Sequence, residues 1–116
     1  MSSPDFTSAI WTIGSGASLS DTITVEGAYI DGILFPATIT GSVVSFQVGF
    51  DSGSMMNLLD VNGVEVTVPI SAGKAIMLPF GMLRSWSFVA IRTGTSASAT
   101  TQGASRSIRM SMRKFS

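Results

Sequence analysis

Apolar and polar residues alternate most regularly towards the C-terminal end of the chain, where Ile108, Met110 and Met112 are interleaved with Ser107, Arg109, Ser111 and Arg113. A period of two places successive side chains on opposite faces of a strand. The pattern predicts a strand from Arg106 onward that buries three apolar residues and turns Arg109 and Arg113 outward, with Arg106 on the other side at its start. Val44, Phe46, Val48 and Phe50 alternate in the same way with Ser45, Gln47 and Gly49, and predict a second half-buried strand. Shorter runs rich in β-branched and aromatic residues predict further strands over 7–13, 21–26, 28–35 and 86–92.

Turn chemistry separates these runs. Gly14-Ser15-Gly16 ends the first, and Asp31-Gly32 interrupts the third as a turn or bulge. Pro36 holds Phe35 extended and marks a strand end or edge. Asp51-Ser52-Gly53-Ser54 and Asn62-Gly63 predict two successive hairpins, with arms over 55–60 and 64–68, closed by Pro69. Residues 74–83 read as an apolar connector punctuated by Pro79 and Gly81. Residues 93–105 form a thirteen-residue loop of Thr, Ser, Ala and Gly plus Gln102, and a loop of that length is expected to be functional or mobile. Its order is expected to come from a neighbouring molecule.

No segment sustains a helical period, so the fold class expected is all-β: an antiparallel β-sandwich, jelly-roll or immunoglobulin-like, of about eight short strands. Residues 1–6 are assigned to an N-terminal arm and 7–116 to a single sandwich domain. Phe46, Val48, Phe88, Ile108 and Met110 are expected in the core, with Trp86 beside them.

Composition sharpens the picture. The 116 residues are 45% hydrophobic and only 12% charged, against about 25% charged in an average soluble domain, which implies that neighbours cover much of the surface. The longest charge-free apolar run, between Lys74 and Arg84, is far short of the ~20 residues that cross a bilayer, so no membrane partner is expected. Cysteine and histidine are both absent, which removes thiolate metal sites and the commonest general base.

The net charge of zero conceals a segregation. All seven acidic residues precede position 66 and all seven basic residues follow position 73. Pairing of acid with base between neighbouring strands is the favoured reading of this split. Opposite charge on opposite sides of the domain, suited to head-to-tail contacts between copies or to an acidic partner, is the sharper one.

No catalytic constellation emerges, and neither an enzymatic activity nor a cofactor is expected. Asp51 and Asp60 sit at turns, where Asp bonds its own backbone, and this role is favoured over a carboxylate pair or a calcium site that would also use Asp31. Trp11, Tyr29 and Trp86 are read as core rather than as a sugar-stacking platform. Arg106, Arg109 and Arg113 lack interleaved exposed aromatics, so nucleic acid ranks behind acidic chain partners as their target.

Four stretches resemble a group of small tailed-bacteriophage virion proteins: Ser-Leu-Ser-Asp at 18–21 with the preceding 14–17, residues 32–37, the Phe-Gln strand and hairpin at 45–53, and Ile91-Arg92-Thr93-Gly94-Thr95-Ser96-Ala97 followed by Gln102, Ala104, Arg106 and Ile108. Here Ser52 separates Asp51 from Gly53, where the group's pattern has them adjacent. The resemblance implies a non-enzymatic structural protein of the virion, assembled in the host bacterial cytoplasm. A capsid decoration or cement protein on the head lattice is the role implied, with the major capsid protein or other virion proteins as partners and a homo-oligomeric state. A tail or baseplate carbohydrate-binding module is the alternative. On the same ground Arg92, Thr95, Ser96, Gln102, Arg106, Arg109 and Arg113 are candidate partner contacts.

Overall fold

The structure is a computed structural model that describes residues 6–25, 28–79, 83 and 86–114. Among the described residues nine strands are formed: β1 (Phe6–Ile13), β2 (Ile23–Thr24), β3 (Ala28–Leu34), β4 (Val43–Gly49), β5 (Met56–Asn57), β6 (Val68–Pro69), β7 (Ala75–Met77), β8 (Phe88–Thr93) and β9 (Arg106–Lys114). They build a four-stranded sheet, β1-β9-β3-β7, and a five-stranded sheet, β2-β8-β4-β5 with β6 also on β4. Every pairing is antiparallel. The fold is an all-β sandwich.

The pairing follows one rule. The first strand lies against the ninth, the second against the eighth, the third against the seventh and the fourth against the sixth, as if one long hairpin had been rolled up. This is jelly-roll winding rather than the immunoglobulin arrangement.

Alternation decides which side chains the two sheets enclose. Trp11 and Ile13 of β1, Ile30 and Ile33 of β3, and Ile108 and Met110 of β9 meet Val44, Phe46, Val89 and Ile91 from the other sheet, all essentially without solvent contact. Trp11 lies with its ring centroid 6.3 Å from that of Phe46, and its indole N–H donates to the Val89 carbonyl at 3.0 Å. One tryptophan thus fills the centre and ties the sheets together.

Asp31 is the predicted irregularity. The β3–β9 register shifts between Ile30 and Gly32, and the bulged Asp31 between them turns its Oδ2 to 3.6 Å from Arg113 Nε. Both turn aspartates use their own backbone as expected: Asp51 Oδ1 accepts from the Gly53 N–H, and Asp60 Oδ1 from those of Asn62 and Val64. Gly63 takes a positive φ of 78°, the conformation for which the Asn-Gly pair is suited.

Three expectations need correction. Residues 75–77 belong to the sheet as β7, although the segment reads as a connector, because three residues are too few to display alternation. Phe88 is only half-buried. Val89 and Ile91 point into the core, so their neighbour Phe88 faces the other side of the sheet. Phe50 is 70% exposed, since β4 ends at Gly49 and the chain turns away before Phe50 can enter the core. The arm assigned to 1–6 falls almost entirely outside the described residues.

Candidate functional site

The residues singled out from the sequence separate into three places. The first is a buried polar knot on the outer side of the five-stranded sheet. Arg92 is 6% exposed, which withdraws it from any partner. Its Nε donates to Ser45 Oγ at 3.0 Å, Nη1 to Asn57 Oδ1 at 3.0 Å and Nη2 to Glu65 Oε2 at 2.8 Å. The Glu65 carboxylate also accepts from the Ser96 N–H, and Ser45 Oγ donates to the Gly94 carbonyl. One arginine therefore fixes the segment over 57–65 and the turn over 95–98 against the sheet. Thr95 is likewise occupied, its Oγ1 accepting from the Ser98 N–H, while the Ser96 side chain is exposed.

The second place is the 93–105 loop. Hydrogen bonds within the chain tie the loop down at Thr93, Thr100 and Gln102, while residues 96–99, 101 and 103–105 stay exposed. Gln102 is 1% exposed and acts as a two-way clamp, Nε2 donating to the Thr40 carbonyl at 2.8 Å and Oε1 accepting from the Thr40 N–H at 2.9 Å. Nε2 also reaches Thr93 Oγ1, and Arg106 Nε donates to the same Oε1. Arg106 Nη1 continues to Thr38 Oγ1, so this arginine is also held within the chain. Small polar side chains that cannot fill a core here satisfy each other and the backbone instead.

The third place is the surface left open, and it has two parts. At the end of β4 an open cleft of about 450 Å³ is lined by Val48, Phe50, Met56, Leu58, Leu59 and Trp86, among others. Phe50 and Trp86 stand with ring centroids 5.5 Å apart at 38°. Met56 and Leu59 in its lining are exposed, and so are Val61, Val64, Asp51 and Asp60 in the turns that adjoin it along the chain. Alternation gave no sign of this cleft; the signal available was the apolar content of the two hairpins that form it.

The outer face of the four-stranded sheet is the other part. Register places Ile10, Arg109, Leu34 and Ala75 in one row across β1, β9, β3 and β7, and Ser8, Ser111, Gly32 and Met77 in the next. Arg109 donates to Ser8 Oγ at 3.3 Å and has no acidic partner among the described residues. Arg113 keeps half of its side chain in water beside Asp31. The structure thus brings Arg109 and Arg113 together on one face and keeps Arg92 and Gln102 apart from them.

Among the described residues no three His, Cys, Asp or Glu side chains converge as a metal site would require. Trp11 is wholly buried and unavailable as a stacking platform, and Tyr29 and Trp86 are half-buried.

No protein-family model and no curated protein matches this chain. Among solved structures it is similar to CBM32-1 from a family 31 glycoside hydrolase of Clostridium perfringens, with a TM-score of 0.53 and 14% identity over 88% of this chain and 72% of that one. The Yersinia pseudotuberculosis-derived mitogen superposes with a TM-score of 0.43 and 7% identity, over 97% of this chain and 87% of that one. At such identities the first likeness is one of fold: a β-sandwich of the kind found in CBM32-1.

Proposed function

We propose that this chain is a non-enzymatic structural protein of a tailed-bacteriophage virion, bound in many copies to the head lattice as a decoration or cement subunit. One observation carries the reading. The core is already filled, yet Phe50, Met56, Val61 and Met77 each leave 70% or more of their surface in water. Phe50 and Met56 share one cleft and Met77 stands on the other sheet, so large apolar side chains are left open on two sides of the domain, as suits a subunit packed among neighbours that cover them. The resemblance of residues 14–21, 32–37, 45–53 and 91–97 to small virion proteins supports the same assignment. Purified protein added to undecorated heads binds them and raises their resistance to heat on this reading; heads that stay bare and no more heat-resistant contradict it.

A second reading has its own support. The likeness to CBM32-1 and the Phe50–Trp86 pair in an open cleft suit a carbohydrate-binding module of a tail or baseplate. The cleft wall is largely apolar and offers few groups to a sugar's hydroxyls, since Asn57 Oδ1 is already engaged by Arg92. Binding on a glycan array that disappears in Trp86→Ala, with the fold intact, selects this reading over the first.

A further inference from the structure

The two open surfaces are complementary. The cleft at the end of β4 joins exposed Phe50, Met56 and Leu59 to two exposed carboxylates, because Asp51 follows Phe50 and Asp60 follows Leu59 in the chain. Asp51 and Asp60 each commit one oxygen, Oδ1, to their own turn. All seven basic residues follow position 73, and the one found against this region among the described residues, Arg92, is buried and neutralised by Glu65. The outer face of the four-stranded sheet carries the opposite combination. Ile10, Leu34 and Met77 are exposed around Arg109 and Arg113, and the one acid on that face among the described residues, Asp31, is already beside Arg113.

We propose that the acidic apolar cleft of one copy docks on the basic outer face of the four-stranded sheet of the next. The occupant is a second copy because one chain supplies both halves of the match: apolar against apolar, two aspartates against two arginines. The surfaces lie on different sheets and share no residue, so the contact is head-to-tail and each copy keeps one free half after the first contact forms. A specific contact needs about 800 Å² from each partner, roughly an eighth of this chain's 6287 Å² surface. Arg109 gains the acidic partner that it lacks among the described residues, and desolvation by the flanking apolar residues strengthens that pair.

The contact is tested without heads, so its failure and a failure to bind heads are separate results. Sedimentation of the purified chain is followed from micromolar to near-millimolar concentration. The wild type associates, more weakly at high salt. D51K/D60K and R109E/R113E each remain monomeric where the wild type is associated, a loss of about tenfold or more in affinity, and mixing the two in equal amounts restores association. Loss of association in both variants separates this geometry from a two-fold contact of either surface with itself, which only one of the two variants would break. Circular dichroism checks each variant's fold, and D51N/D60N with R109Q/R113Q replaces any that misfolds, each then losing association alone and the equal mixture recovering a one-to-one contact between the intact cleft of one variant and the intact basic face of the other. A wild type that stays monomeric throughout, variants that associate as well as the wild type, or reversed variants that fail to rescue each other overturns the proposal.

Discussion

Arg92 Nη2 and Glu65 Oε2 meet at 2.8 Å with their side chains 8% and 16% exposed, joining the basic part of the chain to the acidic part. Breaking such a pair from one side strands the other charge away from water. Glu65→Ala therefore lowers stability by about 3 kcal/mol, read as a lower urea midpoint at unchanged slope. Arg113→Ala is the contrast. Its pair with Asp31 is long and half-exposed, and the change stays within about 0.5 kcal/mol.

Gly94 holds a φ of 90°, and a Cβ built there would lie 2.7 Å from the Thr100 nitrogen and 2.9 Å from the Ala99 Cα. These are backbone atoms fixed by the Gly94–Ala99 bridge and cannot move aside cheaply. Gly94→Ala costs at least about 2 kcal/mol in thermal or urea unfolding. Gly103→Ala, with open space around it, changes stability by less than about 1 kcal/mol.

Gln102→Ala removes both partners of Thr40 and one of Thr93 at a buried position. The expected loss is about 2–3 kcal/mol. Hydrogen exchange adds a local signature: the Thr40 amide loses its protection before the amides of β4 and β8 do.

Phe50→Ser sits in a largely exposed ring position, so it leaves the melting temperature within a few degrees of the wild type. The same substitution weakens self-association in sedimentation, and it does so without altering charge. Trp11→Ala behaves oppositely. It empties the centre of the core and costs about 3–5 kcal/mol, so its effect on any binding assay tracks unfolding.

What the sequence made legible follows from periodicity. The strands of β1, β3, β4, β8 and β9 are long enough for alternation to appear, and the bulge at Asp31 and the turn at Asn62-Gly63 have side-chain chemistry of their own. β5 and β6 fall at the arms that the turn signals predict, whereas β7 exists because β3 supplies its partner, which no local window records. The same limit explains Arg92 and Gln102. Both look like polar surface residues in the sequence, but Glu65 and Thr40, far away along the chain, draw them inside. The residues that carry the virion-protein resemblance, Arg92, Gly94, Gln102 and Arg106, prove to be the ties that hold loops to the sandwich. They identify a fold more directly than a contact surface.

The rolled pairing of β1 with β9 sets when the molecule can form. Ser8 and Arg109, 101 positions apart, belong to adjacent strands, and β3 reaches the sheet only through β9 on one side. During synthesis the four-stranded sheet lacks the strand that joins β1 to β3 until residue 114 has left the ribosome. Before then β1 and β3 present bare edges rich in β-branched residues, and closure waits on the slowest kind of contact, one between distant segments. A nascent chain of this protein is therefore exposed to mispairing with its neighbours on the same messenger until β9 arrives.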